Sequence, residues 1–415
     1  MKPILLLDTP FVKKMQSLGL IGIILGAVGL GASFAINSQA FWGGYLLGFI
    51  YFMGISVTMM FFSTLTYLVN AGWASAIRRI AELYTFHAIW AVPILIIPII
   101  MGVVLGNSPI YSWVNPTDEH LKHLLEHGFK GLYLGKWFFL LRMVLYIGLW
   151  IFMHRFIVGN SFKQDTATDE TPTRKNWKRA AAFTLVYALT ITFVSFDLVM
   201  SLEPKWFSTI FGVYAFAGNF ISTVSLILIT MNLLNQGGYL KGIVSREHYH
   251  DLGKLMFAFT IFWTYIAFSQ YFIIWYGNMP EETYFYDLRL RNGWQIFGWG
   301  SLVFHFMVPF LFLIRQDIKR NPKMVNIGAF LILFSHFVDL CWIILPVFTS
   351  TSSEHGLEYH LNGTVILAGL CGVFFMGGVF FYVASMQFKK YSIVAYNDPY
   401  LHESLEYSSG SYDRD

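Results

Sequence analysis

The sequence predicts an all-α polytopic membrane protein, and its composition, its long apolar segments and the placement of its basic residues are the observations that predict it. Of 415 residues, 56% are hydrophobic and 13% are charged, whereas a soluble domain carries about 25% charged residues. Lipid must therefore be the solvent for much of the surface. No run of basic residues is interleaved with aromatic residues outside the apolar segments, so a nucleic-acid partner is not expected.

Ten segments are long enough to span a bilayer as helices, because a spanning helix needs about 20 predominantly apolar residues. The first begins after an amino-terminal tail, residues 1–16, and is longer than the core of a signal peptide, so we interpret it as a retained helix. The predicted spans are 17–36, 41–70, 80–105, 136–158, 178–200, 206–234, 253–276, 295–315, 324–347 and 361–386.

The orientation follows from Lys and Arg in the connecting segments, which are enriched on the cytoplasmic side of membrane proteins. With the amino terminus inside, 21 of the 28 basic residues lie in cytoplasmic segments and 6 on the opposite side, while Arg142 lies within a helix. We therefore expect both termini in the cytoplasm.

The two cysteines, Cys341 and Cys371, lie inside apolar segments. They exclude an iron–sulfur cluster held by this chain alone, and the absence of a CxxCH motif excludes covalently attached haem. The chain is therefore not expected to bind a redox cofactor of its own covalently, or a structural metal.

Glycines on one face of the first helix predict a close helix contact of the small-xxx-small type. The tenth helix has a comparable set. The glycines are Gly19, Gly22, Gly26 and Gly29 in the first helix and Gly369, Gly372 and Gly377 in the tenth.

An internal repeat relates the second to fifth helices to the sixth to ninth. Asp197-Leu, five residues and Pro204 in the first half parallel Asp339-Leu, five residues and Pro346 in the second. The offset of four helices preserves orientation, which predicts two parallel four-helix bundles, residues 41–200 and 206–347, with the first and tenth helices outside them.

Three segments outside the spans carry their own predictions. Residues 118–127 are expected to form a capped helix whose histidines, His120, His123 and His127, share a face; an interfacial helix is favoured over a metal site because no carboxylate or cysteine set completes the ligands. Residues 159–177 are predicted to be a mobile cytoplasmic loop. In the cytoplasmic tail, 387–415, the part after Asn397 is predicted to be poorly ordered or held by a partner.

Ionisable groups inside a membrane survive mostly where they pair, line a water path or bind a ligand. His336 and Asp339 share a helical face and suit a proton relay, or a carboxylate that orients a structural imidazole. Arg79 and Glu82 have the same spacing, which favours a surface ion pair over proton uptake. The candidates that the sequence places deep in the spans are Glu82, His87, Arg142, His154, Asp197, His305, His336 and Asp339.

Two further hypotheses involve pairs on different helices. Arg142 and Asp197 are expected at similar depth, where they would either neutralise each other or line a quinone pocket. The histidines suggest a minor hypothesis of b-type haem, with His305 facing His336 and His87 facing His154.

Three stretches carry a family resemblance: RIAELYTF at 79–86, SFDLVMSLEPKWFSTIFG at 195–212, and DLGKLMFAFTIFWTYIAFSQY at 251–271, which continues to WYGNMPEET at 275–283. With the ten-helix layout, they resemble the two quinone-oxidoreductase membrane subunits of bacterial alternative complex III. The shorter of those two subunits is similar in length to this chain. Both are similar to the NrfD and polysulfide-reductase membrane anchors.

The resemblance implies a place in a quinol-oxidising respiratory complex with a homologous quinol-binding membrane subunit, an iron–sulfur subunit and multihaem cytochrome c subunits, delivering electrons towards cytochrome c or a terminal oxidase. It makes menaquinone or ubiquinone, with lipids, the candidate ligands. We therefore expect a proton path through Glu82, His87, His336 and Asp339 and a quinone site near Arg142 and Asp197. The alternatives are a structural anchor for soluble redox subunits and a secondary transporter.

Overall fold

A computed structural model of the chain describes residues 3–353 and 356–408. Within these ranges, ten helices are long and apolar enough to cross a membrane, and strand is confined to one short hairpin. The predicted all-α polytopic fold is therefore confirmed. The ten helices are Pro10–Ile36, Ser38–Leu68, Gly72–Val104, Lys136–Gln164, Thr171–Leu202, Phe211–Gln236, Arg246–Gly277, Gln295–Leu313, Pro322–Thr349 and Gly363–Lys390.

Several of these helices are irregular inside the membrane. The third is divided into Ser75–Tyr84, Phe86–Trp90, Val92–Leu95 and Ile97–Val104. Pro93 and Pro98 lie at the starts of the last two pieces, because proline lacks the N–H that would continue the preceding helix. The interruptions follow from the sequence itself.

Two pairs of irregularities recur at the predicted offset of four helices. The fourth and eighth helices each contain a π-helical turn, His154–Val158 and Leu302–Met307. The fifth and ninth each end in a 3₁₀ turn, Met200–Leu202 and Leu345–Thr349. These shared features support the predicted repeat, which remains a prediction.

Short helices and one hairpin lie in the segments outside the ten long helices. The predicted helix at 118–127 is found as Glu119–His127, and the Asp118 side chain caps it by accepting a hydrogen bond from the Leu121 N–H at 2.9 Å. Strands Ser350–Ser353 and Gly356–Tyr359 pair antiparallel, with Ser350 opposite Tyr359. The remaining short helices are Phe129–Tyr133, Pro280–Arg289, Gln316–Arg320 and Leu401–Leu405.

The second helix is the centre of the molecule. Its most apolar 18 residues are all buried, and it contacts the third, fifth, sixth and tenth helices. The sixth helix is the next most buried and lies against the second. Polar residues on these two helices are therefore shielded from lipid.

The tenth helix packs between the first and the second through glycines, as the glycine pattern predicts. A Cβ on Gly26 would lie 2.3 Å from the Phe375 backbone nitrogen, and one on Gly44 would lie 2.2 Å from the Ala368 carbonyl oxygen. Such distances exclude any side chain. Small residues therefore set this close approach.

Both terminal segments lie at the same end of the bundle, which we call the terminal side. The Ile393 N–H donates to the Ile4 carbonyl at 3.1 Å, and Lys389 forms an ion pair with Asp8 at 3.0 Å. The other end is called the opposite side.

The structure corrects three predictions, one for a helix boundary, one for a loop and one for the tail. The first helix begins at Pro10, so residues 10–16 of the predicted tail are helical. Helices Gly159–Gln164 and Thr171–Leu198 occupy most of the predicted mobile loop at 159–177, which was wrong because buried polar contacts hold this segment. The tail after Asn397 was predicted to be poorly ordered or held by a partner, yet it packs on the helices of its own chain as far as Tyr407; residues 409–415 lie outside the described ranges.

Candidate functional site

The eight ionisable candidates that the sequence places deep in the spans are all buried in the protein. Their exposure is at most 7%, and Glu82, Asp197 and His305 have none. These side chains therefore face protein rather than lipid, as expected for polar groups in a membrane.

Glu82 lies at the centre of a group that we call the terminal-side cluster, made of Arg78, Arg79, Glu82, Ser161, Asp165 and Asp398. One Glu82 carboxylate oxygen accepts hydrogen bonds from Arg79 Nε at 2.9 Å and Ser161 Oγ at 2.7 Å. The other accepts from Ser63 Oγ at 3.0 Å. Both oxygens are thus occupied.

Arg79 completes this cluster by joining the third helix to the end of the fourth. Its guanidinium donates to Asp165 at 2.6 and 3.1 Å and to the Ser161 carbonyl at 3.1 Å. Burial raises the pKa of Asp165, while its bonds to Arg79 act in the other direction. The predicted ion pair of Arg79 with Glu82 is present, but both residues are entirely buried, so its predicted location at the surface was wrong.

The carboxyl-terminal tail covers this cluster. Asp398 pairs with Arg78 and accepts a hydrogen bond from Ser75 Oγ at 3.3 Å. Ser404 donates to the Trp73 carbonyl at 2.5 Å, and Tyr407 donates to Asp251 at 2.6 Å. The tail therefore ties the third helix to the start of the seventh, which the sequence analysis did not predict.

His87 lies deeper than Glu82. Its Nδ1 is hydrogen-bonded to Ser56 Oγ at 3.1 Å, and its Nε2 has no partner among the described residues. The ring packs against Phe380, with 5.1 Å between the ring centroids. One ring nitrogen of His87 is therefore fixed by Ser56, and the other can form a hydrogen bond with a further group.

Asp339, His305, His336 and Tyr214 form a second group, which we call the central cluster. Tyr214 Oη donates to Asp339. Asp339 and His336 line the same cavity of about 30 Å³, which has room for about one water molecule, together with Asn219 and Ser195. No direct hydrogen bond joins His336 to Asp339 in the described chain, so the directly bonded relay expected from their spacing is not found.

The imidazoles of His305 and His336 lie 6.2 Å apart between ring centroids. Neither ring nitrogen of either residue has a hydrogen-bond partner in the described part of the protein. The Trp263 ring stacks on the His305 ring with 3.9 Å between centroids, and the Tyr51 ring lies 5.3 Å from the His336 ring, also between centroids. The predicted proximity of these two histidines is thus confirmed.

A b-type haem does not fit this arrangement. Trp263 covers one face of His305, and the adjoining cavity accommodates a water molecule rather than a porphyrin. His87 and His154 pack instead against Phe380 and Phe86, respectively, so the second proposed pair does not assemble either. Among the described residues, no group of three or more His, Cys, Asp or Glu side chains is arranged to hold a metal ion.

Arg142 and Asp197 meet as expected. Arg142 Nε and Nη2 donate to the two Asp197 oxygens at 2.9 and 2.8 Å, and Tyr146 Oη donates to the same carboxylate at 2.7 Å. The guanidinium also lies over the Tyr133 ring, 3.9 Å from its centroid. Both carboxylate oxygens are bonded, which favours mutual neutralisation over the quinone-pocket hypothesis.

A further buried ion pair on the opposite side was not predicted. Arg289 donates to Glu203 at 3.3 Å and to the Ile343 carbonyl at 3.1 Å, and Tyr359 also donates to Glu203. Burial and the Glu203 charge raise the pKa of Tyr359 well above its usual value. Glu203 borders a cleft of about 780 Å³ open to the opposite side. Glu203 lies directly before Pro204 within the stretch 195–212 that carries the family resemblance, and this position could have identified it from the sequence.

No family model matches the chain, and no curated protein sequence matches it significantly.

Proposed function

We propose that this chain is a proton-conducting membrane subunit of a bacterial quinol-oxidising complex. One observation carries the proposal: the predicted path residues follow the second helix in order. Ser63 donates a hydrogen bond to Glu82, and Ser56 is hydrogen-bonded to His87. Met53 lines the same cavity as His336 and Asp339. A single buried helix thus connects all four.

The length of this series fits a half-channel. Met53 and Ser63 are ten positions apart in the sequence, which corresponds to about 15 Å along a helix at 1.5 Å per residue. The hydrocarbon core of a bilayer is about 30 Å thick. The series therefore extends from the terminal side to about the middle of the membrane.

The side chains along the series are of the types that transfer protons. Carboxylates and imidazoles accept and release protons, and hydroxyls such as Ser56 and Ser63 relay hydrogen bonds between them. The cavity beside Asp339 has room for one water molecule at the inner end. Protons taken up on the terminal side would therefore reach Asp339.

The partners and location in this proposal come from the resemblance and the charge distribution. We propose that the terminal side faces the cytoplasm of a bacterium, because the connections on that side hold most of the basic residues. The homologous quinol-binding subunit, the iron–sulfur subunit and the multihaem cytochrome c subunits are proposed on the same resemblance. Menaquinone or ubiquinone would be the substrate of the assembly.

Asp339→Asn tests the proposal in the assembled complex. Asparagine keeps the size of the side chain and can still accept from Tyr214, but it cannot carry a proton. We expect quinol turnover, or protons moved per quinol, to fall at least about tenfold. Asp317→Asn, at an exposed ion pair with Arg315, is the control and should change neither quantity. Unchanged turnover and coupling in the Asp339 variant would refute proton conduction.

A structural anchor is the second candidate, and the terminal-side cluster favours it. There the contacts of Glu82 with Ser63 and Ser161, and of Arg79 with Ser161, join the third helix to the second and fourth, which stabilises a scaffold without moving a proton. This candidate predicts that substitutions at Glu82 and Asp339 alike change the yield of assembled complex and leave turnover per complex unchanged.

A further inference from the structure

Two buried imidazoles in the middle of the membrane lack hydrogen bonds to the described protein. His305 is 0% and His336 2% exposed, and all four of their ring nitrogens are unpartnered in the described residues. A neutral imidazole carries one N–H donor and one acceptor nitrogen, and both are costly to bury unbonded. Buried polar groups of this kind are usually satisfied by ordered water.

The geometry of the pair suits a shared water molecule. The ring centroids are 6.2 Å apart, and a hydrogen bond to water spans about 2.7–3.2 Å between heavy atoms. His336 also lines the cavity of about 30 Å³ beside Asp339. His305 does not line this cavity, so the water shared by the two imidazoles would lie between the rings, and His336 would connect it to the cavity beside Asp339.

The local structure holds His305 in place. His305 belongs to the π-helical turn Leu302–Met307, a distortion that often occurs at functional sites. Ser335 Oγ donates to the Phe304 carbonyl at 2.5 Å, and Trp263 stacks on the imidazole. The eighth helix is thus locally reshaped where His305 meets the ninth helix.

We propose that water joins His305 to His336 and that His305 is a further proton-carrying residue, one helix beyond the series from Glu82 to Asp339. The inference rests on the proposed function. In each step the bridging water accepts a proton from one imidazolium and donates one of its own to the other imidazole. No net charge forms on the water and no oxidant or reductant is needed.

His154 provides a matched control. It also lies in a π-helical turn, His154–Val158, it is buried, and its Nε2 is unpartnered among the described residues. Its ring packs against Phe86, 4.7 Å between centroids, rather than against another imidazole. A general effect of removing a buried histidine from a π-turn would appear equally at both positions.

The first test measures the proton flux, per quinol oxidised, into liposomes that contain the assembled complex. We expect His305→Ala to lower the flux at least about tenfold, added imidazole to restore part of it, and His154→Ala to leave it unchanged. Rescue by imidazole is not expected if His305 only supports the fold. A flux that falls in Asp339→Asn but not in His305→Ala would overturn this inference alone, whereas a flux that is unchanged in both variants would overturn the proposed function and this inference with it.

The second test is independent of transport. A density map of the full chain that resolves water should show a molecule within hydrogen-bonding distance of a ring nitrogen of both histidines. Direct contact of the rings with acyl chains, or a dry pair, would overturn the inference even if His305→Ala were inactive.

Discussion

The terminal-side cluster and the central cluster are both largely buried but differ in how their polar atoms are bonded. In the first, both Glu82 oxygens accept protein hydrogen bonds and the Arg79 guanidinium meets Asp165, Glu82 and Ser161. In the second, Tyr214 bonds Asp339 while the imidazole nitrogens have no partner in the described chain. Burial alone therefore does not distinguish the two clusters, whereas the number of hydrogen bonds that their polar atoms form does.

The difference has a physical basis. A fully bonded buried network resists any change of geometry, because each group is fixed by several others. A sparsely bonded group beside a cavity can exchange partners with water at little cost. The terminal-side cluster thus has the properties of a rigid joint, in which Glu82 would pass protons only along its existing hydrogen bonds, whereas the central cluster would exchange protons through water in the proposed path.

Glu82→Ala is the strongest way to test this comparison. It leaves Arg79 with one of its two carboxylate partners and Arg78 with Asp398, and breaking a buried pair costs about 3–5 kcal/mol because a charge loses its compensation. We expect a corresponding drop in the free energy of unfolding, measured by thermal denaturation in detergent. Glu170→Ala, which breaks an exposed pair with Arg174, should change it by less than about 1 kcal/mol. Equal small losses in both variants would contradict the structural role of the cluster.

The same substitution at the two aspartates of the predicted repeat sharpens the comparison. Asp197→Asn weakens three hydrogen bonds, two of them from the Arg142 guanidinium, and we expect the free energy of unfolding to fall by about 1.5–3 kcal/mol. Turnover of the variant that folds should be normal. Asp339→Asn should show the reverse, with near-normal stability and lost turnover. Loss of turnover in Asp197→Asn at unchanged stability would instead revive the quinone-pocket hypothesis.

Sequence reasoning predicted the fold well because length and hydropathy determine which segments enter a membrane. The ten helices, the glycine contact between the first and tenth, and the Arg142–Asp197 pair all follow from residue type and spacing. The predicted loop at 159–177 failed for a physical reason: Thr173 and Asn176 are polar, and their burial depends on Gln164, Asn160 and a carbonyl of the fourth helix.

The bonding of the candidate site could not be predicted, because it depends on helices distant in sequence. Tyr214 reaches Asp339 across 125 residues, and Asp398 reaches Arg78 across 320. The spacing of His336 and Asp339 predicted a shared face, which both show by lining one cavity. Spacing on one helix gives no information about a tyrosine on another.

The tail provides a smaller test of the terminal side. Tyr407→Phe removes the hydrogen bond to Asp251, and we expect a loss of about 0.5–1.5 kcal/mol in tail docking, measured as faster proteolysis between residues 397 and 408. His402→Ala lies on the same segment, in an exposed pair with Glu406, and should leave the cleavage rate unchanged. Identical rates in the two variants would show that Tyr407 does not hold the tail.

The smallest expected effect on stability lies in the central cluster. His305→Phe removes a side chain that makes no hydrogen bond to the described protein, and it keeps an aromatic ring against Trp263. Replacing a polar group by an apolar one of similar shape is often nearly neutral, so thermal denaturation should detect a change within about 1 kcal/mol, although proton flux is expected to be lost. A loss comparable to that of Glu82→Ala would mean that His305 is bonded as firmly as the terminal-side residues. The two clusters would then no longer differ in how firmly their polar atoms are bonded, which is the property that distinguishes the rigid entry end of the proposed path from its centre.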